Sequence, residues 1–282
     1  MILSFHPCFV ADDQVILADR KLSSGDRRLI QTADAIILPQ TCSPILYSAC
    51  AKSKAHVFPD YALRFRYPGK VGQNILFERL KISHPTTRRW ASAKKFRDTL
   101  KAKGGLPHEL PFLLKSNNCH EGEGIFPVTD AAGIEPALTS LENIDSKRFI
   151  SQELIPHQGN VLRTVVLHKK MIAYWKRADR SHATITAVSR GARVDKRWKP
   201  ELIEKGQAQT QRICSKTGIN LAAFDFVFNL SQPDPQPFIL EINYYFGRRG
   251  LGGSIRYYRL LLKAIQEWLN EKGLNAGRVK LV

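Results

Sequence analysis

Leu221-Ala222-Ala223-Phe224-Asp225-Phe226-Val227-Phe228 and Phe238-Ile239-Leu240-Glu241-Ile242-Asn243 are two apolar runs, each with an acid near one end. Residues 231–237, rich in Pro and Asp, supply a turn between them, so the spacing predicts hairpin partners. A carboxylate among Phe, Val, Ile and Leu is costly unless something pairs with it. Paired strands put Asp225 beside Glu241, with Asn243 two residues on and facing the same way. Two carboxylates and an amide oxygen on one face suit a hard divalent cation such as Mg²⁺, which takes oxygen ligands and shares them with phosphates. The bland alternative is a pair of edge-strand acids facing water, and periodicity alone does not separate the two readings.

At 282 residues the chain has room for one large domain or two to three small ones. No apolar run approaches the roughly 20 residues that a membrane helix needs. The start, Met1-Ile2-Leu3-Ser4-Phe5-His6-Pro7, has no basic stretch ahead of a long apolar one, which argues against a signal peptide. Five cysteines without C-x-x-C spacing argue against a disulfide framework or a zinc site, and the expected location is a reducing cytoplasm. The net charge of +18 steers anionic partners without choosing among them. No nucleic-acid module signature accompanies it, which counts against a nucleic-acid substrate.

Ile2–Phe5, Ala35–Leu38 and His56–Phe58 read as buried parallel strands, with helices at Asp26–Thr32 and Pro44–Ala51 between them. The stretch Arg64–Lys70 reads as a loop into a helix over Gln73–Leu80, and a second helix follows over Ala91–Lys103. Pro111–Lys115 is a strand ending in a lysine. It leads through Gly122-Glu123-Gly124 to a strand over Ile125–Val128. Arg148–Ile155 is a further strand, and Leu162–Leu167 with Met171–Tyr174 forms a hairpin. Helices begin at Pro200, closing before Gly218, and at Ile255, closing before Gly273.

Glycines behind a cation let backbone N–H groups approach phosphate oxygens, although Gly-x-Gly alone is a weak signal. Lys70, Lys115, Gly122-x-Gly124, Gln152-Glu153-Leu154-Ile155, Arg163 and Asp225/Glu241/Asn243, in that order, resemble the ATP-grasp superfamily and, within it, the RimK-like carboxylate–amine ligases. The resemblance covers roughly residues 68 to 255. It implies an α/β (α+β) ATP-grasp fold: a small Rossmann-like domain over 1–70, a lid or central subdomain over 71–155, and a C-terminal subdomain with the metal site over 156–282. Lys70 and Lys115 fall at lysines that contact ATP phosphates, and Gly122 and Gly124 at the phosphate-covering loop. Residues 152–155 fall at the adenine hinge, Arg163 and Arg190 at active-site arginines, and Asp225, Glu241 and Asn243 at the ligands of Mg²⁺, for which Mn²⁺ can substitute. Val161 stands where the family carries an aspartate, Ile185-Thr186-Ala187 lacks an arginine–asparagine pair, and Tyr244-Tyr245-Phe246 replaces small residues.

The implied activity is ATP- and Mg-dependent formation of an amide through an acyl phosphate, adding an amino acid to a carboxylate-bearing small molecule or peptide. Arg248 and Arg249 are candidates for docking a substrate carboxylate, against the alternative of a solvated basic turn. A kinase using the same nucleotide site and a non-catalytic ATP-binding module are the other readings. The sequence leaves the substrates' identities and the oligomeric state open.

Overall fold

A computed structural model of the chain describes residues 1–119, 123–144, 147–178 and 191–282. Its first part contains β1 (Ile2–Ser4), β2 (Phe9–Val10), β3 (Asp13–Gln14), α1 (Ser24–Thr32), β4 (Ala35–Ile37), α2 (Pro44–Ala51) and β5 (His56–Phe58). The strands β3-β1-β4-β5 form a parallel sheet in that order, and β1 and β4 are buried throughout, as continuous apolar runs require. Both helices begin at serine caps. Ser23 and Asp26 form a reciprocal capping box, and Ser43 precedes Pro44 at the first helical position.

The middle part runs through α3 (Ala62–Arg66), α4 (Gly69–Leu80), β6 (Thr87–Trp90), α5 (Ala93–Lys103), β7 (Phe112–Ser116), β8 (Ile125–Val128), α6 (Ile134–Asn143) and β9 (Phe149–Glu153). Its antiparallel sheet has the order β6-β9-β7-β8 and a core of its own, in which Phe96, Phe112, Leu114, Leu138 and Phe149 are fully buried. Here the structure departs from the sequence reading. The helix expected from Gln73 begins at Gly69, so Lys70 sits in its first turn, and the expected loop from Arg64 opens inside the short helix α3. Strand β6 went unanticipated because Thr87-Arg88-Arg89-Trp90 has no apolar run; its pairing with β9 is what makes it a strand. Helix α6 went unread too. Its apolar positions Ile134, Ala137, Leu138 and Leu141 follow helical spacing, but Pro136 obscures the start.

The last part contains β10 (Asn160–Leu167), β11 (Lys170–Arg177), β12 (Arg193–Asp195), α7 (Pro200–Thr217), β13 (Leu221–Val227), β14 (Phe238–Asn243), α8 (Ser254–Glu271) and β15 (Lys280–Leu281). The first five strands form an antiparallel sheet, β12-β11-β10-β13-β14, and β15 pairs with β2. On one face Leu162, Trp175, Phe224, Phe226, Ile239 and Ile242 join Leu3 and Ile36 of the first sheet and Leu46 of α2 in a shared core. On the other face Val165, Leu167, Leu221 and Ala223 pack against Leu261, Ile265 and Leu269 of α8. The remaining end of that second face carries the polar residues considered below.

A bulge sets this division. Asp225 pairs with Glu241 but Phe226 pairs with Ile239, so Leu240 is an extra residue in β14. Strict alternation puts Ile239 and Glu241 on one face; the bulge sends Ile239 into the core and leaves Glu241 opposite Asp225. Among the described residues no helix is long and apolar enough to cross a membrane. Phe226 is fully buried at the centre of the shared core. Phe226→Ala is expected to lower unfolding free energy by about 3–5 kcal/mol, read as a shifted urea midpoint at unchanged m-value.

Candidate active site

Three adjacent strands present their side chains to one face of the five-stranded sheet. Arg163 on β10 lies opposite Asp225 on β13, which lies opposite Glu241 on β14, and Asn243 follows two residues later. On the far side of β10, Lys176 of β11 pairs in register with Val161 and so shares the face with Arg163. Asp225 is buried, at 2% exposure. Its Oδ1 accepts from Arg163 Nε at 2.8 Å. Its Oδ2 accepts from Arg163 Nη2 at 2.7 Å, Lys176 Nζ at 2.9 Å and Asn243 Nδ2 at 3.2 Å. Burial opposes the charge on Asp225, but Arg163 and Lys176 outweigh it and hold the carboxyl well below the usual carboxylate range.

Glu241 is half-buried and accepts from Asn243 Nδ2 at 3.0 Å. An amide nitrogen facing two carboxylates is the orientation chemistry demands, since an amide oxygen there would repel both. Among the described residues no three His, Cys, Asp or Glu side chains gather as a metal site. Of the two carboxylates, Asp225 Oδ2 already takes three donors, whereas Glu241, with a single amide donor, is the one whose oxygens could hold a hard cation.

Strand β14 is fixed by Gln73 on α4. Its Nε2 donates to the Ile242 carbonyl and its Oε1 accepts from the Ile242 N–H, each at 2.8 Å. The same helix carries Lys70, whose Nζ donates to the Cys119 carbonyl at 2.7 Å and whose N–H donates to the Asn117 carbonyl at 3.0 Å. Gly69, at φ +67°, has no room for a Cβ, which would lie 2.5 Å from the Asn117 amide. The loop beyond β7 closes through Gly124, at φ +62°, whose Cβ would meet Cys119 and Ser116 at 2.8 Å. Both positions therefore require glycine. Gly122 and Arg190, expected at the site, lie outside the described residues, as do Ile185-Thr186-Ala187.

Lys115 lies at the centre. It is buried, and its Nζ donates to Gln152 Oε1 at 2.5 Å. Burial and the charge of Lys70 lower its pKa to about 8, against a pull from Glu241, so the two lysines and the carboxylate occupy one neighbourhood. Gln152 spans from Lys115 to Thr87 Oγ1, to which its Nε2 donates at 2.8 Å. Its side chain thus holds the lysine, while the half-buried Leu154 and Ile155 leave the sheet beside it. Glu153 turns its carboxylate to the Thr86 N–H at 2.7 Å.

Three contributors went unread in the sequence. Gln73 gave no signal, because its partner is main chain. His157 is buried beside Lys115, burial and that charge lower its pKa to about 4, and its Nδ1 has no hydrogen-bond partner. Lys176 went unread, yet Ile172, Tyr174 and Lys176 alternate along β11 toward the face that holds Arg163, which is a readable signal. Arg248 lies on another wall. Its guanidinium covers the Tyr258 and Tyr257 rings at 4.5 and 5.0 Å from their centroids, close enough to His6 to help burial lower that histidine's pKa to about 4. Arg249 is exposed.

No family model and no curated protein matches the sequence. Solved structures do match it. The RimK domain ATP-grasp protein of Sphaerobacter thermophilus is 16% identical, with a TM-score of 0.56 over 92% of this chain and 97% of its own. The D-alanyl-alanine synthetase A of Vibrio cholerae is 13% identical, with a TM-score of 0.60 over 84% and 77%. An N5-carboxyaminoimidazole ribonucleotide synthetase solved with ADP is 12% identical, with a TM-score of 0.59 over 85% of this chain; the chain spans 60% of its length. The chain has the ATP-grasp fold.

The pKa of Lys115 carries a stability consequence. Between about pH 8 and its unfolded value of about 10.5 the unfolded chain binds the proton that the folded chain has released, so folding gains stability as pH rises through that window. Wild type should therefore gain about 1–2 kcal/mol on Lys115→Met between about pH 7.5 and pH 9.5 in urea unfolding. A constant difference would place the lysine in solvent.

Proposed function

We propose that the chain is an ATP-dependent ligase that joins a carboxylate to an amine through an acyl phosphate. The convergence of Lys70, Lys115 and Glu241 beneath the turn closed by Gly124 carries this reading. The orphaned Nδ1 of His157 supports a bound molecule next to Lys115, since a buried acceptor without a donor is costly. The adenine would lie against residues 152–155, with the phosphates over Lys70 and Lys115. Mg²⁺ held by Glu241 and Asn243 would supply neutralisation of charge on the phosphate oxygens.

In the first step a carboxylate oxygen of the substrate attacks the γ-phosphorus, and the bond to the β-bridging oxygen breaks to release ADP. In the second an amine attacks the acyl carbon, phosphate departs, and the amine loses a proton. The first step asks for positioning and charge compensation more than covalent help. Lys115 supplies a cation already fixed by Gln152, and Lys70 supplies one tied to the loop it would leave on binding phosphate. The Gly124 turn would exclude water, which otherwise consumes an acyl phosphate. Arg163 gives two donors to Asp225, so its part is to hold that carboxylate and present its remaining edge to the site. Arg248, stacked on two tyrosines, has the fixed guanidinium that bidentate recognition of a carboxylate favours, beside exposed Arg249.

ATP should raise the melting temperature by mass action, about 2.7 kcal/mol of stability at a hundredfold excess over Kd. Incubation with ATP, Mg²⁺ and amino acids, followed by mass spectrometry, should give ADP and a new amide. A phosphoester would mean a kinase, binding without turnover a non-catalytic module, and no melting shift the loss of the nucleotide reading.

The double variant Arg248→Ala/Arg249→Ala tests the acceptor wall. It should raise KM for the carboxylate substrate about tenfold or more, leave KM for ATP nearly unchanged, and lose its effect as salt rises. An equal loss for both substrates would move these arginines to the nucleotide or the fold.

A further inference from the structure

The buried lysine on β11 has no assigned part in the reaction. Lys176 is 7% exposed, and its register partner is Val161, which offers no charge. Its Nζ donates to Asp225 Oδ2 at 2.9 Å, a partner it shares with Arg163 and Asn243. A lysine is rarely buried without a carboxylate to pair with, and Asp225 is that partner here. Arg163 already pairs with Asp225 through two donors, so the second cation is surplus to neutralising that carboxylate. Counted over the described side chains, Asp225 and Glu241 are balanced by Arg163 and Lys176 before Lys70 and Lys115 are added. A divalent ion approaching Asp225 would meet two fixed cations and no uncommitted oxygen lone pair on Oδ2. At Glu241, one neutral amide donor is the sole hydrogen-bond partner among the described residues.

We propose that the Lys176 ammonium permanently fills the cation place at Asp225, so that nucleotide binding draws on one exchangeable divalent ion, at Glu241 and Asn243, and not on ions at both carboxylates. This rests on the nucleotide site proposed above. An internal ammonium is present whenever the chain is folded, whereas an ion must be recruited with each nucleotide. The chain should consequently hold a nucleotide diphosphate or triphosphate with weak dependence on divalent metal.

Calorimetric titration with ADP and with a non-hydrolysable ATP analogue tests this in excess EDTA and in saturating Mg²⁺. Wild type should lose less than about tenfold in affinity on chelation. Lys176→Met keeps the stem's shape and leaves Asp225 paired with Arg163, so it should fold, as a melting curve verifies. It should lose about a hundredfold or more in EDTA and recover most of that in Mg²⁺. Paramagnetic titration with Mn²⁺ and saturating ATP analogue should count about one ion per bound nucleotide in wild type and about two in Lys176→Met. Lys176→Arg, which preserves charge, should behave as wild type and provides the comparison if the methionine variant unfolds. Two Mn²⁺ in wild type, or equal EDTA sensitivity in wild type and Lys176→Met, overturns the inference while leaving the nucleotide site intact. Absence of nucleotide binding under every condition removes that site, and the inference with it.

Discussion

A carboxylate at the middle of a five-stranded sheet, buried on every side, is tolerable only because it is fully paired. Asp225 meets Arg163 from the neighbouring strand, Lys176 from one strand further, and Asn243 from the other side. Taking so many charges out of water is costly, and their mutual attraction repays this only when geometry is good and hydrogen bonds satisfy both carboxylate oxygens. The sheet meets that condition. The four strands must hold their registers for the contacts to exist, so the ion cluster specifies the registers and the registers hold the cluster. The bulge at Leu240 belongs to the same constraint, because it aims Glu241 and Asn243 toward Asp225 while keeping Ile239 and Ile242 in the core.

Around that fixed centre the other polar groups arrive from other elements of the fold. Lys115 comes on a buried strand and is steadied by Gln152, whereas Lys70 comes on the first turn of a helix and is tied to the loop it faces. Gln73 joins the two halves by bonding both main-chain groups of Ile242. One lysine is held by a buried side chain and the other by a main-chain carbonyl, and both lie near the half-buried Glu241. The β6-β9-β7-β8 sheet keeps a separate core, while the first sheet shares one with the five-stranded sheet.

The sequence legible in isolation was that with strong local signals. The hairpin Asp225/Glu241/Asn243 could be read because two apolar runs flank a Pro-rich turn, and the helices at Pro44 and Pro200 because a proline stands in the first helical turn. Strand β6 could not be read, since Thr87-Arg88-Arg89-Trp90 owes its conformation to β9. The same holds for the start of α4, where Gly69 and Lys70 are fixed by Asn117, far off in sequence.

By itself the sequence determined which residues are acidic, basic or glycine at the positions a phosphate site needs, and the alternation that orients most strands. Only the tertiary structure decided what those residues do to one another. It placed a second cation, Lys176, on Asp225, and it turned the Gln152 side chain from the hinge to Lys115. It also stacked Arg248 on Tyr257 and Tyr258. The physical reason is that a charge in a sequence carries no address. Its partner is set by which strands lie side by side, and strand pairing is a contact between distant segments that local pattern does not record.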